Sequence, residues 1–477
     1  MTRSSSSRRA KVDGGDMAET TLWNAGERRD PFVWAGLPDA APGSSIRDSL
    51  YDLIPLGPLE IDLLATSAFT RLQGVKQLGF VYRVWPGATH TRFEHSLGVY
   101  YLMLRALRVL QASQPAALAS AGVTEQDAHT ALAAALLHDV GHYPFSHAIE
   151  ELGYPVIPHE KVGRAIIEGN EVAEALERHG LNPAQVASLI DTPKGERLAH
   201  NHALLARLLS GALDVDKLDY LPRDARACNV PYGGVDVSRL LGALRVIPGS
   251  DGPALGVSDK GISPLNSLLH ARQEMFDNVY WHHTNRAMMA MLLRAVQEAL
   301  EAGAVAAERL ANHDDGELLA LLASESMPSA TRALVDGLRA RRPYKMALEV
   351  SALAGKPYQL LDTLFWDQSK RRRVEQALAA EVSATLGETV EAWEVLVDIP
   401  KPEKWEMNTE VVFSEPPLGM RERMTWAEAT GQRSDDLGLY ERRQRRIRIV
   451  CHARWRERIR AEAQGALLSV IERIPAL

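Results

Sequence analysis

Residues 128–137 form an apolar, helix-favouring run that ends in a histidine followed at once by an aspartate. The full stretch reads Ala131-Leu132-Ala133-Ala134-Ala135-Leu136-Leu137-His138-Asp139-Val140-Gly141-His142. Alanine and leucine favour helix over strand, so the run is expected to be a buried helix. Neighbours on a helix point about 100° apart, so His138 and Asp139 reach one ion only where the helix stops. Gly141 is expected to supply that stop as a glycine just past the C-cap. The doublet therefore calls for a helical core with polar chemistry at a helix end.

Two further segments offer matching donors. His95 lies in His90-Thr91-Arg92-Phe93-Glu94-His95-Ser96-Leu97-Gly98, and Asp216 in Asp214-Val215-Asp216-Lys217-Leu218-Asp219-Tyr220. Together His95, His138, Asp139 and Asp216 suit a divalent transition metal (Mn, Fe, Ni or Zn) and leave positions for water or phosphate. His142, His147, Glu150 and His159 exceed what ligation needs. Imidazole titrates near neutrality, so this surplus suits general acid–base work. Around Asp216 the supply changes to phosphate contacts. Lys217 is adjacent, and Tyr220 and Asp224 share its helical face. Arg92 stands three residues before His95, and Arg272 and Tyr280 form another cationic–aromatic pair. A metal ringed by such groups meets the needs of polyphosphate hydrolysis, where charge grows on oxygens in the transition state.

Length and composition bound the rest. A chain of 477 residues with 46% hydrophobic content can bury a large core, and no run of about 18 apolar residues suggests a membrane span. The net charge of −7 argues against whole-surface nucleic-acid binding. Cys228 and Cys451, far apart, make no disulfide framework and no thiolate site, which fits a reducing, cytoplasmic location. The Ser/Arg-rich start lacks the apolar stretch of a secretory signal, and Met17 offers an alternative start.

Residues 1–30 are expected to be a disordered tail, 31–304 a catalytic domain, and 305–477 an α+β region for oligomerisation or regulation. The run 46–54 is short and mixed, followed by Pro55 and Pro58, and reads as an entry into a helical core. Helices are predicted at Thr89–Leu110, 124–138, 143–152, 159–169, 171–178, 183–190 and 199–210. Leu244–Ile247 and Ala254–Val257 should pair as a β-hairpin, followed by one long helix from Pro264 to about Ala302. Further on, helices at 316–323, 329–340 and 371–386 mix with strands at Trp393–Asp398, Glu410–Phe413 and Arg446–Val450. Arginine clusters at 339–342, 370–373 and 442–446 read either as solvated or contact surfaces or as phosphate-binding patches.

With these motifs in place the chain resembles the HD-domain phosphohydrolases. Within them it resembles the deoxynucleoside triphosphate (dNTP) triphosphohydrolases, in their bacterial dGTPase-like and vertebrate sterile-α-motif/HD branches. The matching segments are Lys76-Gln77-Leu78-Gly79, Pro86–His90, Arg92–Gly98, Leu137–His147, His159-Glu160 and Asp216–Asp224, in family order over about 46–300. The resemblance implies a mainly α fold: an HD helical core, a small β-hairpin and a C-terminal α+β region. No sterile-α-motif domain is expected before residue 46. It implies that His95, His138, Asp139 and Asp216 hold the metal, with Mg on the substrate phosphates. His142, His147, Glu150 and His159 are then the catalytic shell, Glu150 replacing the vertebrate Asp. Gln77 and Leu78 would contact deoxyribose, and Arg92, Lys217, Tyr220, Asp224, Arg272 and Tyr280 the triphosphate and sugar. Phe276 and Trp281 depart from the polar residues of the vertebrate enzymes.

Arg245 and Lys260, on the two strands of the hairpin, match contacts to a nucleotide effector held between subunits. Ala65 and Gln73 replace the residues that read guanine there, so the effector need not be GTP. The implied reaction is metal-dependent hydrolysis of a dNTP to deoxynucleoside and triphosphate. The implied protein is a homo-oligomer (dimer, tetramer or higher) under nucleotide activation, and antiviral dNTP depletion is one role. The alternatives are an HD phosphohydrolase of a monophosphate, alarmone or modified nucleotide, and a nucleotide sensor or nucleic-acid-binding protein using the arginine clusters.

Overall fold

Reciprocal caps start the helices that carry the polar motifs. The Thr91 amide donates to Glu94 Oε2 at 2.7 Å and fixes the start of α1 (Arg92–Ser113). Thr124 and Asp127 do the same for α2 (Glu125–Leu137), with amide-to-side-chain bonds of 2.8 and 3.2 Å. Asp214 caps α3 (Val215–Cys228) by accepting the Lys217 amide at 2.8 Å. α1 packs against both α2 and α3. Gly98 permits the second contact, since a Cβ there would lie 1.9 Å from Asp219 Oδ1. Leu102, Met103 and Leu107 of α1 are fully buried, and truncating any one to alanine costs about 2–5 kcal/mol.

The computed structural model describes residues 34, 36–38, 44–193, 195–402, 408–432, 439–440 and 442–477. The tail expected over 1–30, with Met17, lies outside them. Gly36–Leu477 form one compact, mainly α unit with small sheets.

Four local expectations need correction. The mixed run 46–54 lies in a hairpin: β1 (Ser44–Asp48) and β2 (Asp52–Leu56) pair antiparallel, turned by Asp52 at φ +65°. The segment after the doublet is a 3₁₀ helix over Ser146–Leu152, entered through Phe145 and Ser146, both at positive φ. The long helix is two helices, α4 (Ile262–Met275) and α5 (His283–Glu301), separated by a π turn over Phe276–Tyr280. Gly141 is not a left-handed cap, because α2 ends with His138 in right-handed geometry. Its lack of a side chain serves close packing instead: a Cβ would meet His159 O at 2.1 Å and Gly163 N at 2.3 Å.

The hairpin forms as β3 (Leu244–Gly249) and β4 (Gly252–Ser258), with Arg245 opposite Gly256. Beyond residue 304, β5 (Lys345–Ser351) and β6 (Val395–Asp398) flank β9 (Arg446–Cys451) in a sheet of order β5-β9-β6. β7 (Glu410–Val412) and β8 (Arg423–Thr425) instead extend the hairpin, β7 lying parallel to β4. The sequence reading did not anticipate β5 and β8.

The arginine clusters are spent inside the protein only in part, since Arg339, Arg341, Arg342, Arg442 and Arg443 are exposed. Arg371 is buried and donates to Val397 O, Arg372 bonds Glu298 at 2.6 Å, and Arg373 donates to Leu477 O at 2.8 Å. Arg445 is also buried, on Pro400 O and Asp362. Cys228 and Cys451 are buried and unpaired. Among the described residues no helix is long and apolar enough to cross a membrane.

Candidate active site

The end of α2 presents the doublet. His138 Nδ1 donates to Ala135 O at 2.8 Å, which fixes the tautomer and leaves Nε2 as the free lone pair. His95, one turn into α1, is oriented in the same way by Asp219: its Nδ1 lies 2.8 Å from Asp219 Oδ2 and its Nε2 3.0 Å from Asp216 Oδ1. Ligand atoms of His95, His138 and Asp216 all lie within 4.8 Å of one another. Asp139 borders the same point, with its oxygens 3.3 Å from His138 Nε2 and 3.8 Å from His95 Nε2.

The donors fit a divalent transition cation. Buried His138 Nε2 has no hydrogen-bond partner among the described residues, and carboxylates crowd the ring of His95. Burial disfavours charge on His95, yet Asp216 and Asp219 outweigh it and push its pKa up to about 10. The pocket therefore demands positive charge at that nitrogen, and two imidazoles with carboxylates are a borderline-metal donor set.

Asp219 itself was not singled out in the sequence, although its i,i+4 spacing to Arg223 was a usable signal. Burial would raise its pKa. The paired Arg223, at 2.8 and 2.9 Å, and His95 overcome this and bring it down to about 2.

A second group converges beside the first: His142, His147, Glu150 and His159. Glu150 accepts from both neighbours, with Oε1 2.6 Å from His159 Nδ1 and Oε2 3.3 Å from His147 Nδ1. The rings of His142 and His159 lie 3.6 Å apart. His142 is fully buried, and burial, with Arg92 and His159 adding to it, drives its pKa well below the ordinary imidazole value. Burial also works against charge on His159, but Glu150 reverses the balance and raises its pKa. One imidazole of this close pair is thus biased neutral and the other cationic, the separation that acid–base pairs use.

A cavity of about 970 Å³ opens onto both groups. Asp216, His147 and Glu150 line it, as do Gln77, Leu78, Lys217, Tyr220 and Asp224. Arg92, Arg272 and Tyr280 complete the predicted contacts on its wall. His95, His138, Asp139, His142 and His159 do not line it directly. Some of the predicted phosphate contacts already have partners. Arg92 Nη1 bonds Asp139 Oδ2 at 2.5 Å, and Lys217 Nζ lies on Asp214 at 2.5 Å and on Gly211 O at 2.8 Å. Asp224 is held by His90 Nε2 and by the Tyr280 hydroxyl, each at 2.7 Å.

Two effector positions differ from expectation. Lys260 is not on a strand but in the exposed 3₁₀ turn Asp259–Gly261 after β4. Arg245 folds back onto the carbonyls of Gly242 and Leu244 at 3.2 and 2.7 Å.

Three contacts that the sequence did not reveal tie the site together. The Ser146 hydroxyl lies 2.9 Å from the carbonyls of both Lys76 and Gln77 and accepts from Arg92 Nε at 3.1 Å. Asp315, from beyond the predicted catalytic region, accepts the Phe145 amide at 2.7 Å and the Lys76 amide at 3.1 Å. Arg286 bonds Glu151, next to Glu150, at 2.9 Å and Asp398 of β6 at 2.7 Å. Positive φ at Phe145 and Ser146 is costly for non-glycine residues, and these bonds hold it in place.

Comparison with known proteins extends these observations. An HD domain model matches residues 92–223, and an HD associated region model matches 235–466. An uncharacterized protein of Methanocaldococcus jannaschii is 29% identical over 372 residues, 78% of this chain and 72% of that protein. The human deoxynucleoside triphosphate triphosphohydrolase SAMHD1 is 29% identical over 281 residues, which cover 53% of this chain and 44% of the human protein. The chain thus spans less than half the length of that enzyme. Among solved structures, a hypothetical protein from Aquifex aeolicus superposes with a TM-score of 0.65 at 25% identity, over 88% of this chain and 99% of the other.

Proposed function

This chain belongs to the HD-domain family of metal-dependent phosphohydrolases, an HD domain joined to an HD associated region, and on that premise we propose that its substrate is a dNTP. The products are the deoxynucleoside and inorganic triphosphate. The observation that carries the reading is the convergence of His95, His138 and Asp216 at a cavity whose other walls offer Lys217 and Arg272 to phosphates and Leu78 to a sugar. Similarity to the human triphosphohydrolase over 53% of this chain supports it.

His95, His138, Asp139 and Asp216 would hold a divalent transition metal, which when bound supplies a Lewis acid for phosphate oxygens and lowers the pKa of water. The chain's own residues do the rest. Lys217 and Arg272 balance the charge that builds on the triphosphate. A water oxygen bonds to the α-phosphorus and the bond to the 5′-oxygen breaks. Neutral, buried His142 belongs to the shell that takes up the water proton. His147 lines the cavity, and in this reading it gives a proton to the leaving 5′-oxygen. Glu150 holds the rings of His147 and His159 in register. Crowding by Leu78 excludes a 2′-hydroxyl. Arg245 and Lys260 would contact a nucleotide effector in a homo-oligomer, and drainage of the dNTP pool in the cytoplasm, including during viral infection, would be the physiological result.

The test is a product assay on metal-replete protein with the four dNTPs and four NTPs, singly and in pairs. Intact triphosphate released from dNTPs far faster than from NTPs is the expected result. Release of orthophosphate or pyrophosphate, or equal rates on ATP and dATP, overturns the reading.

A further inference from the structure

The cavity lining includes a group that the phosphate chemistry leaves unused. α4 loosens into the π turn Phe276–Tyr280 and the helix is interrupted before α5 begins at His283. Such turns recur at functional sites because they re-aim side chains. Here the Tyr280 hydroxyl reaches Asp224 at 2.7 Å, and the Tyr280 carbonyl accepts from Asn285 Nδ2 at 3.1 Å. The second bond settles the amide orientation, since only the nitrogen can donate to a carbonyl. Asn285 Oδ1 is therefore an acceptor. Asn285 lines the cavity and is 5% exposed, and its Oδ1, itself closed off from water, has no hydrogen-bond partner among the described residues. A buried acceptor left unmet is costly, so this oxygen wants a donor.

Its surroundings say what kind. Phe276 and Trp281 line the same cavity with ring centroids 5.3 Å apart, and Phe365 joins them from the C-terminal region. Flat apolar faces suit an aromatic heterocycle. The Trp281 carbonyl accepts from Arg448 Nη1 at 3.3 Å, which anchors the turn. Asp216 and Asp224 stand eight residues apart on one face of α3, a rise of about 12 Å. Tyr280 and then Asn285 continue from Asp224 by hydrogen bonds. That path suits a mononucleotide with phosphates at Asp216 and base at Asn285.

We propose that Asn285 Oδ1 reads the nucleobase by accepting from an exocyclic amino group on a base packed against Phe276 and Trp281. The assignment rests on the dNTP reading and adds base preference to it. Deamination replaces the amino donor with a carbonyl, which would set two acceptors against each other. A site built to receive a donor rejects such an analogue by about tenfold or more.

The experiment compares kcat/KM within two deamination pairs, dATP with dITP and dCTP with dUTP, on metal-replete wild-type protein and on Asn285→Leu. The wild type is expected to favour the amino member of at least one pair by about tenfold or more. Asn285→Leu should bring that ratio within about twofold of unity. Asn285→Ala gives the same readout if leucine disturbs α5, and the wild-type ratios need no variant. Turnover without preference in either pair, or a ratio unmoved in a folded variant, overturns the role of Asn285 while leaving the dNTP reading intact. No turnover of any dNTP overturns both.

Discussion

His95 and His138 each commit one ring nitrogen to a fixed buried acceptor, Asp219 and Ala135 O, whereas His147 and His159 share a single carboxylate, Glu150. The first pair sits on regular helices. In the second, His147 lies in a 3₁₀ segment entered through two residues at positive φ, and His159 opens the helix His159–Ile167. Their deeper anchors differ as well. Asp219 faces Arg223 and stays ionised, with a pKa near 2. For Asp315, burial outweighs the amides of Phe145 and Lys76 and raises its pKa to about 6. The first pair is thus held by one charged and one neutral acceptor, whereas the second shares one carboxylate, whose bond to His159 at 2.6 Å is the shortest of the four.

The sharpest test of this contrast sets His138→Ala against His147→Ala. His138→Ala should lose both bound metal and hydrolysis, by a factor of at least about a thousand in turnover. His147→Ala should keep its metal while turnover falls about 10²–10⁴-fold, the usual scale for a lost acid–base group. Elemental analysis and triphosphate release measure both quantities. Metal loss in both variants would erase the distinction between the clusters.

Asp315 offers a test of the second anchor. Its folded pKa is raised, so the native state binds the proton more tightly than the unfolded chain. Stability from this group is therefore fully present below the ordinary carboxylate pKa and is lost as pH rises to about 6. The loss amounts to about 3 kcal/mol across that window. In Asp315→Asn this component should vanish, so the stability difference between wild type and variant should change by that amount between about pH 4 and 6. Urea titrations at several pH values read it. A constant difference would mean that the Phe145–Lys76 anchor does not titrate there.

The smallest expected effect is on the first anchor. Asp219→Asn keeps an acceptor for His95 Nδ1 but removes the charge, and should weaken metal affinity about tenfold. Competition with a chelator measures it. Unchanged affinity would show that orientation, rather than charge, is what Asp219 contributes.

Much of this site was legible because its signals are local. The His138-Asp139 doublet, the 216–220–224 face and the capping pairs Thr91/Glu94 and Thr124/Asp127 depend on spacing within one helix. Asp219 was nearly legible, hidden inside a motif that named its neighbours. The hairpin at residues 44–56 was missed because its strands are short and partly exposed, with little alternation to read. The break between α4 and α5 was missed because apolar residues continue through it, and no proline or glycine marks the π turn. Asp315 and Asn285 left no local trace at all.

The sequence by itself determined the donor chemistry and the helical class, because side-chain type and periodicity are properties of neighbouring residues. Only the tertiary structure decided which imidazole nitrogen is free, which carboxylate is pinned low or pushed high, and which amide oxygen remains unmet in the cavity. Those outcomes depend on contacts such as His95 with Asp219, 124 residues apart, and Phe145 with Asp315, 170 apart. Partners so distant in the chain meet only when buried surfaces close, and burial then sets both their geometry and their charge.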